Sequence, residues 1–399
     1  MNPKHLRLPK FMIILMLYGF ITTTKALVAV GSFINNTHQG MPLSYTSEDA
    51  GIHWSLSPIL PQPSGSIDNE LLAVSCHQNH CTAVGFYIDG TTNPKPLTYV
   101  SHDAGLSWHR SHQLPEPQSS IDDKLTGVFC RLQHCVTIGY TQQGQYHKPI
   151  SHQSHDEGET WTLSETIPPP MFDHSDSHLK SIACADEACV AAGYYTNLDD
   201  NILPLVYVSS DLGLHWAIAS TLPPPPEHSS IALLQDVSCH EQHCGAIGAY
   251  YPNGPQALGY FSSDSGITWE RSSIMPAIEP EQNITLTAIT CGPKGCISVG
   301  YIQSSLHEQR VPVSFVSSDY GQHWEKSAMQ PLMNDEGLRT ELHAVHCEQD
   351  ACTAVGFFDD GRHTRPVGYY SLDFGQTWVM AETEVAVLGV GNHWLDGLG

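Results

Sequence analysis

Three sets of side chains in this chain have the types and spacing that chemistry requires. Seven aspartates, Asp49, Asp103, Asp156, Asp211, Asp264, Asp319 and Asp373, each stand third in a Ser-x-Asp-x-Gly-x-x-Trp string, and carboxylates are the acids, bases and nucleophiles of glycoside cleavage. Twelve cysteines form six Cys-x4-Cys pairs: Cys76 with Cys81, Cys130 with Cys135, Cys184 with Cys189, Cys239 with Cys244, Cys291 with Cys296, and Cys347 with Cys352. Such pairs either bridge as disulfides or ligate a metal as thiolates. Four arginines near the C-terminal end, Arg310, Arg339, Arg362 and Arg365, are cations able to grip a carboxylate or sulfate.

The spacing of the aspartates argues against catalysis. The string recurs seven times, from Ser47 to Trp378, at intervals of 54, 53, 55, 53, 55 and 54 residues. Chemistry needs one constellation, whereas equivalent copies at a fixed period are what an array of supersecondary units needs. The second copy shows the unit: Leu71–Cys76, Cys81–Tyr87, Pro96–Ser101 and Leu106–Arg110 are short runs rich in β-branched and aromatic residues, bounded by turn formers. They read as four antiparallel strands, A to D. The whole is expected to be an all-β, seven-bladed β-propeller of four-stranded antiparallel blades, closed by N- and C-terminal strands, over residues 27–399. In the C–D turn the Asp accepts backbone N–H bonds, the Gly supplies a permissive backbone, and the Trp packs the base of the blade.

The first repeat is incomplete. Leu27-Val-Ala-Val-Gly31 aligns with Cys81-Thr-Ala-Val-Gly85, so strands B, C and D are present and A is missing. Two stretches after Trp378 are able to supply it, Val385–Val390 by apolar character or Leu395–Gly399 by strict period. The better strand former, Val385–Val390, is the expected one, and pairing the chain ends removes the free sheet edges.

The repeated string resembles the BNR or Asp-box repeat of sialidases, sortilin-type receptors, some endoglucanases and photosystem-assembly propellers, and the resemblance covers residues 27–378. It implies a propeller and, because these boxes serve so many functions, selects none of them.

Each Cys pair joins the end of strand A to the start of strand B, where facing residues of a hairpin come within bridging distance. Six local disulfides are expected. The competing reading is metal, since His80, His134 and His243 precede the second Cys of their pairs. Three of the six pairs lack that His, and a tetrahedral site needs ligands from two loops at once, so no metal is expected there.

Alternating strand direction places the A–B loops and the boxes on one face and the variable B–C and D–A loops on the other, the natural recognition surface. Of the seven arginines after the first segment, Arg110, Arg131 and Arg271 fall away from that surface, and only Arg310, Arg339, Arg362 and Arg365, in repeats 6 and 7, belong to it. Those four are the candidate ligand-binding residues. A sialidase-like exo-glycosidase is the alternative function, but it needs arginines from well-separated blades and an early Arg-Ile-Pro signature that this chain lacks. No phosphate loop and no His-Glu-x-x-His is present, so no catalytic residue and no cofactor are assigned.

Lys4, Arg7 and Lys10, the apolar run Phe11–Thr22 and Thr24-Lys-Ala26 read as a secretory signal peptide over residues 1–26. The remainder keeps 13 of the 17 basic and all 41 acidic residues, a formal −28, which disfavours nucleic acid and anionic membranes. The 24 histidines offset part of that charge in acid. Asn35-Asn-Thr37 and Asn283-Ile-Thr285 are glycosylation acceptors in a eukaryotic secretory pathway. The expectation is a monomeric, non-enzymatic binding scaffold, secreted or periplasmic, that holds a protein or glycan on its variable loop face.

Overall fold

The computed structural model describes residues 26–399 apart from 92, 166, 171–174, 227–228, 274–281, 305–308, 331–338, 360 and 382–391. The expected signal peptide and Val385–Val390 thus lie outside the described residues. All regular structure in the described residues is β, and no helix among them is long and apolar enough to cross a membrane.

The strands form five separate four-stranded sheets and one nine-stranded sheet, and the latter consists of two such units joined through a single parallel pair, Arg310↔Arg339, and a short extra strand. Each unit runs A-B-C-D, antiparallel throughout, as in a β-propeller. In repeat 2 these are Asp68–His77, His80–Ile88, Pro94–Ser101 and His109–Arg110. Strand D is shorter than its sequence suggests, because Asp103 holds the turn closed as far as Ser107, whose N–H and Oγ donate to its two carboxylate oxygens at 2.8 and 2.5 Å.

The innermost strands A are Asp68–His77, Asp123–Arg131, Ser177–Ala185, Ala232–His240, Gln282–Gly292, Arg339–Glu348 and, for repeat 1, His393–Leu398. The last corrects the choice of Val385–Val390. His393–Leu398 pairs antiparallel with Leu27–Ile34, and Leu395 lies opposite Gly31. Period outweighed apolarity because strand A needs a side chain at one position, the Leu that fills the core. Leu71, Leu125, Leu179, Leu234, Leu286 and Leu342 there are fully buried and Leu395 nearly so. Each strand A touches the next, and His393–Leu398 touches both Arg339–Glu348 and Asp68–His77.

Every hydrophobic cluster straddles two neighbouring repeats. Val28 and Val30 of repeat 1 pack with Leu71 and Trp108 of repeat 2, and Ala344 and Val355 of repeat 7 pack with Tyr45 and Leu395 of repeat 1. The boxes are wedges in these seams as well as turns. A methyl on Gly105 would sit 2.8 Å from Val28, one on Gly158 2.6 Å from Thr82, and one on Gly51 2.5 Å from Thr353 of repeat 7. Both Ala104 (φ 56°) and Gly105 (φ 82°) are left-handed, a turn that admits Gly at its second position without steric cost. Six of the seven box tryptophans are at most 8% exposed; burying each contributes about 2 to 3 kcal/mol.

All twelve cysteines are bridged, Cys76 to Cys81, Cys130 to Cys135, Cys184 to Cys189, Cys239 to Cys244, Cys291 to Cys296 and Cys347 to Cys352, with Cα–Cα distances of 4.0 to 4.1 Å. These are the expected pairs, and no thiolate is left to ligate a metal. The second cysteine of each pair opens strand B at a core position: Cys81, Cys135, Cys189, Cys244, Cys296 and Cys352 are all at most 2% exposed. Each bridge closes a short hairpin, so it restrains about 2 kcal/mol of loop entropy and pins the A–B turn. That turn also binds the box: Asn79 O accepts from Ala104 N at 2.8 Å, and Gln133 O from Glu157 N at 3.0 Å. Disulfides and boxes therefore share one face.

Candidate binding channel

The strands A surround a cavity of about 830 Å³. Its lining runs from a bulge in each strand, at Leu72, Thr126, Lys180, Gln235, Thr287, His343 and Asp396, out to the A–B turns at Gln78 and Arg131. The concavity thus opens toward the disulfide-bearing turns, the face whose sequence is the more repetitive. Arg131, set aside on sequence grounds, stands at its rim with Nη1 2.8 Å from Asp186.

The bulge has a visible cause. Strand B carries a glycine in every repeat, Gly31, Gly85, Gly139, Gly193, Gly248, Gly300 and Gly356, and a Cβ there would land on the carbonyl oxygen of Trp394, Glu70, Lys124, His178, Leu233, Thr285 or Glu341. Strand A thus lies against bare backbone, and one extra residue is accommodated between Leu71 and Ala73 and at each equivalent point. The Leu points into the core, and the extra residue that follows it lines the cavity.

These extra residues join the repeats by polar bonds. Thr126 Oγ1 donates to Leu179 O at 2.7 Å, Thr287 Oγ1 donates to Leu342 O, and His343 Nδ1 meets Asp396 Oδ1 at 2.7 Å. Asp236, at the adjacent position, takes the Ser181 hydroxyl and the N–H groups of Val237 at 2.9 Å and Ile289 at 2.7 Å. Its burial still pushes the carboxyl up to about 6 against these bonds.

The titratable side chains flanking the strand-A Leu are divided by charge, and of them Lys180, His343 and Asp396 line the cavity. On one side stand Glu70, Glu341, His343 and Asp396. Burial by itself lowers the His343 pKa, but Asp396 and Glu341 more than offset it and hold the imidazole up at about 9, so it is cationic at neutral pH. Burial, with Asp396 and Asp68 adding repulsion, pushes Glu70 up to about 7. On the other side stand Lys124, His178 and Lys180. Burial, then His147 and the two lysines, press His178 down to about 4 and keep it neutral, and burial with Lys124 lowers Lys180. The Lys124 and Lys180 ammoniums lie 4.5 and 5.8 Å from the rings of Phe86 and Tyr194 and form no ion pair among the described residues.

The four arginines of the sequence reading fall differently. Arg310 and Arg339 are in direct register at the junction of repeats 6 and 7, whereas Arg365 lies two strands from Arg339, opposite Phe358. Arg310 is engaged, however: Nη1 bonds Glu341 Oε1 and its guanidinium lies 4.6 Å over Tyr301. Through Glu341 Oε2, 3.4 Å from His343 Nε2, it ends a neutral chain of alternating charges that reaches Asp396. Arg362 and Arg365 are exposed. The channel lysines were legible in principle, since Lys124-Leu-Thr, His178-Leu-Lys and Glu341-Leu-His all flank the periodic Leu.

Comparison with known proteins bears on the boxes. The family model for the BNR/Asp-box repeat matches residues 369–380, and no curated protein matches the chain. A solved structure titled "YCF48 bound to D1 peptide" aligns with a TM-score of 0.46 at 14% identity, covering 82% of this chain and 89% of that one. The stretch matched by the family model holds Ser371–Trp378, and the same bonds recur in all seven boxes, with Ser Oγ donating to Asp Oδ1 at 2.7 to 3.0 Å. The chain thus carries a BNR/Asp-box repeat at residues 369–380 and the same Ser–Asp bond at its six other Ser-x-Asp-x-Gly-x-x-Trp strings.

Proposed function

We propose that the chain is an exported, non-enzymatic, seven-bladed propeller that holds a protein ligand by inserting one of its carboxylate-bearing segments into the central channel. The observation that carries the reading is Lys180, which lines the cavity with Lys124 close enough to repel it. An ammonium withdrawn from water without a counter-ion is costly, and in a chain of formal charge −24 carboxylates to neutralise it are abundant. A ligand carboxylate placed beside Lys180 offsets both its burial and the repulsion from Lys124. The disulfide-pinned A–B turns make the mouth rigid, which limits the entropy lost on binding.

Seven blades in a closed ring are supported by seven boxes, by the cluster joining repeats 7 and 1, and by the His343–Asp396 bond across the same seam. Export is supported by the six disulfides and by the leader-like first segment. The glycosidase alternative loses ground because Arg310, the best-placed arginine, is already bound by Glu341.

The test uses the mature protein against an array of acidic peptides, beside a panel of fluorogenic sialosides and glycosides. Binding of a subset of peptides that is lost in the Lys124→Met, Lys180→Met double variant, with no turnover, is expected. Turnover that disappears in Arg310→Ala would overturn the scaffold in favour of the enzyme.

A further inference from the structure

A second cluster of chemically capable side chains sits away from the channel, on the box face at the seam of repeats 2 and 3. His80 precedes Cys81 in the A–B turn, His102 is the second residue of the box Ser101–Trp108, and Glu157 is the fourth residue of the next box. Their nearest atoms converge: His80 Nδ1 lies 2.8 Å from His102 Nδ1 and 2.8 Å from Glu157 Oε2, and His102 Nδ1 lies 3.9 Å from Glu157 Oε2. We propose that this is a divalent transition-metal site, with His80 Nδ1, His102 Nδ1 and the Glu157 carboxylate as ligands and water or a partner's side chain in the remaining position.

The spacing suits the ion. Zinc–ligand bonds of about 2.0 to 2.1 Å in a tetrahedron put neighbouring ligand atoms about 3.3 Å apart, a value bracketed by the three distances above. Two imidazole nitrogens facing each other at 2.8 Å are unable to carry a hydrogen each; at least one presents a lone pair into the gap. Two nitrogens and one carboxylate oxygen favour Zn²⁺, Cu²⁺ or Ni²⁺ over Ca²⁺ or Mg²⁺.

An independent contact sets the tautomer. The far nitrogen of His102, Nε2, lies 2.9 Å from Glu159 Oε1, which also receives His109 Nε2 at 2.8 Å. A carboxylate on the outer nitrogen holds the proton there and leaves Nδ1 free to coordinate, the arrangement that orients metal-bound histidines. The backbone under the ligands is fixed as well. His80 pairs with His77 beside the Cys76–Cys81 bridge. Glu157, at φ 61°, donates its N–H to Gln133 O at 3.0 Å, and its carbonyl accepts from Thr82 Oγ1 at 3.1 Å. The side chains of His80 and His102 are 38% and 46% exposed, so an ion has a path in.

The molecule contains its own control. One repeat on, His134 Nδ1 and His155 Nδ1 face each other at 2.9 Å in the same positions, but Leu212 and Leu214 stand where Glu157 and Glu159 do. That pair has neither the third ligand nor the tautomer-setting carboxylate.

Untagged mature protein, stripped with a chelator and dialysed, is titrated with Zn²⁺ alone by calorimetry and with Co²⁺ alone by visible absorption. One tight equivalent is expected, with the visible bands of a four-coordinate Co²⁺ centre. His102→Ala and Glu157→Gln should lose it, Glu159→Gln should weaken it roughly 10- to 100-fold, and His155→Ala should leave it unchanged. Circular dichroism and thermal melts of each variant confirm that the propeller is intact. The assignment is overturned if folded wild-type protein takes up no Zn²⁺ at micromolar free metal. It is equally overturned if uptake survives His80→Ala with His102→Ala, or depends on His155 instead.

Discussion

The box turns and the inner strands repeat with the same period, yet they are opposite kinds of region. Every box has the same Ser, Asp, Gly and Trp, with the same Ser-to-Asp and Gly-to-Ser bonds, and its Gly abuts the preceding repeat. The two positions flanking the strand-A Leu change at each step, from Glu70 and Leu72 to Lys124 and Thr126 to His178 and Lys180, and on to Trp394 and Asp396. What is repeated builds the blades; the second of these varied positions, from Leu72 and Thr126 to Lys180 and Asp396, lines the cavity between them. A scaffold of this kind separates stability from recognition, and substitutions at the two kinds of position should behave differently.

The largest effect should come from the glycine that seats the inner strand. In Gly85→Ala the new methyl would occupy the place of Glu70 O, backbone against backbone with no side chain free to yield. A loss of about 4 kcal/mol or failure to fold is expected, read by denaturant unfolding. Gly144→Ala, where nothing lies within 4 Å of the new methyl, has no backbone to displace and should cost far less despite its φ of 67°. If Gly85→Ala were as mild, the account of the bulge would be wrong.

Next is the charge chain across the closing seam. His343→Leu strands Glu341 and Asp396, and removing one member of a buried pair costs about 3 to 5 kcal/mol. The pH dependence is specific. The His343 pKa is raised in the fold to about 9, so its contribution is fully present below the unfolded value near 6.5 and is lost as pH rises through about 9. Unfolding at pH 7 and pH 10 should show the penalty shrinking at the higher pH.

The inner strands also explain what sequence made legible and what it hid. The boxes, the Cys pairs and the missing first strand of repeat 1 follow from the period, because each is a local pattern repeated in register. His393–Leu398 was open to the same reasoning through Leu395, and apolar content misdirected the choice toward Val385–Val390. The channel was hidden for a different reason. Glu70 lies near Asp396, and Lys124 near Lys180, across distances that exist only once neighbouring repeats have packed, and no single repeat contains such a pair. The His80 cluster likewise needs the box of one repeat beside the turn of another.

Smaller effects follow at the wall. Lys180→Met removes a cation that burial and Lys124 both disfavour, so the variant should be more stable, by about 1 kcal/mol, while losing peptide capture. Glu70→Gln should behave similarly for a different reason. The Glu70 carboxyl is raised to about 7, so ionising it opposes folding: the destabilisation is absent below the unfolded pKa near 4.5 and complete above about 7. The variant should gain about 1 kcal/mol at pH 8, after discounting for residual solvent contact, and nothing at pH 4.

The smallest change is expected at Arg362 and Arg365, and it bears most directly on where ligand is held. Both side chains are exposed at the start of a strand on the face opposite the disulfides, outside the cavity lining. Exposed side chains replaced by Ala shift stability by no more than about 0.5 kcal/mol, and Arg362→Ala with Arg365→Ala should leave both the melting curve and peptide affinity within error. If instead the double variant binds peptide ten-fold less well while Lys124→Met and Lys180→Met bind normally, the variable loops rather than the inner strands are the recognition surface. The division of labour between repeated boxes and varied inner strands would then describe the architecture alone.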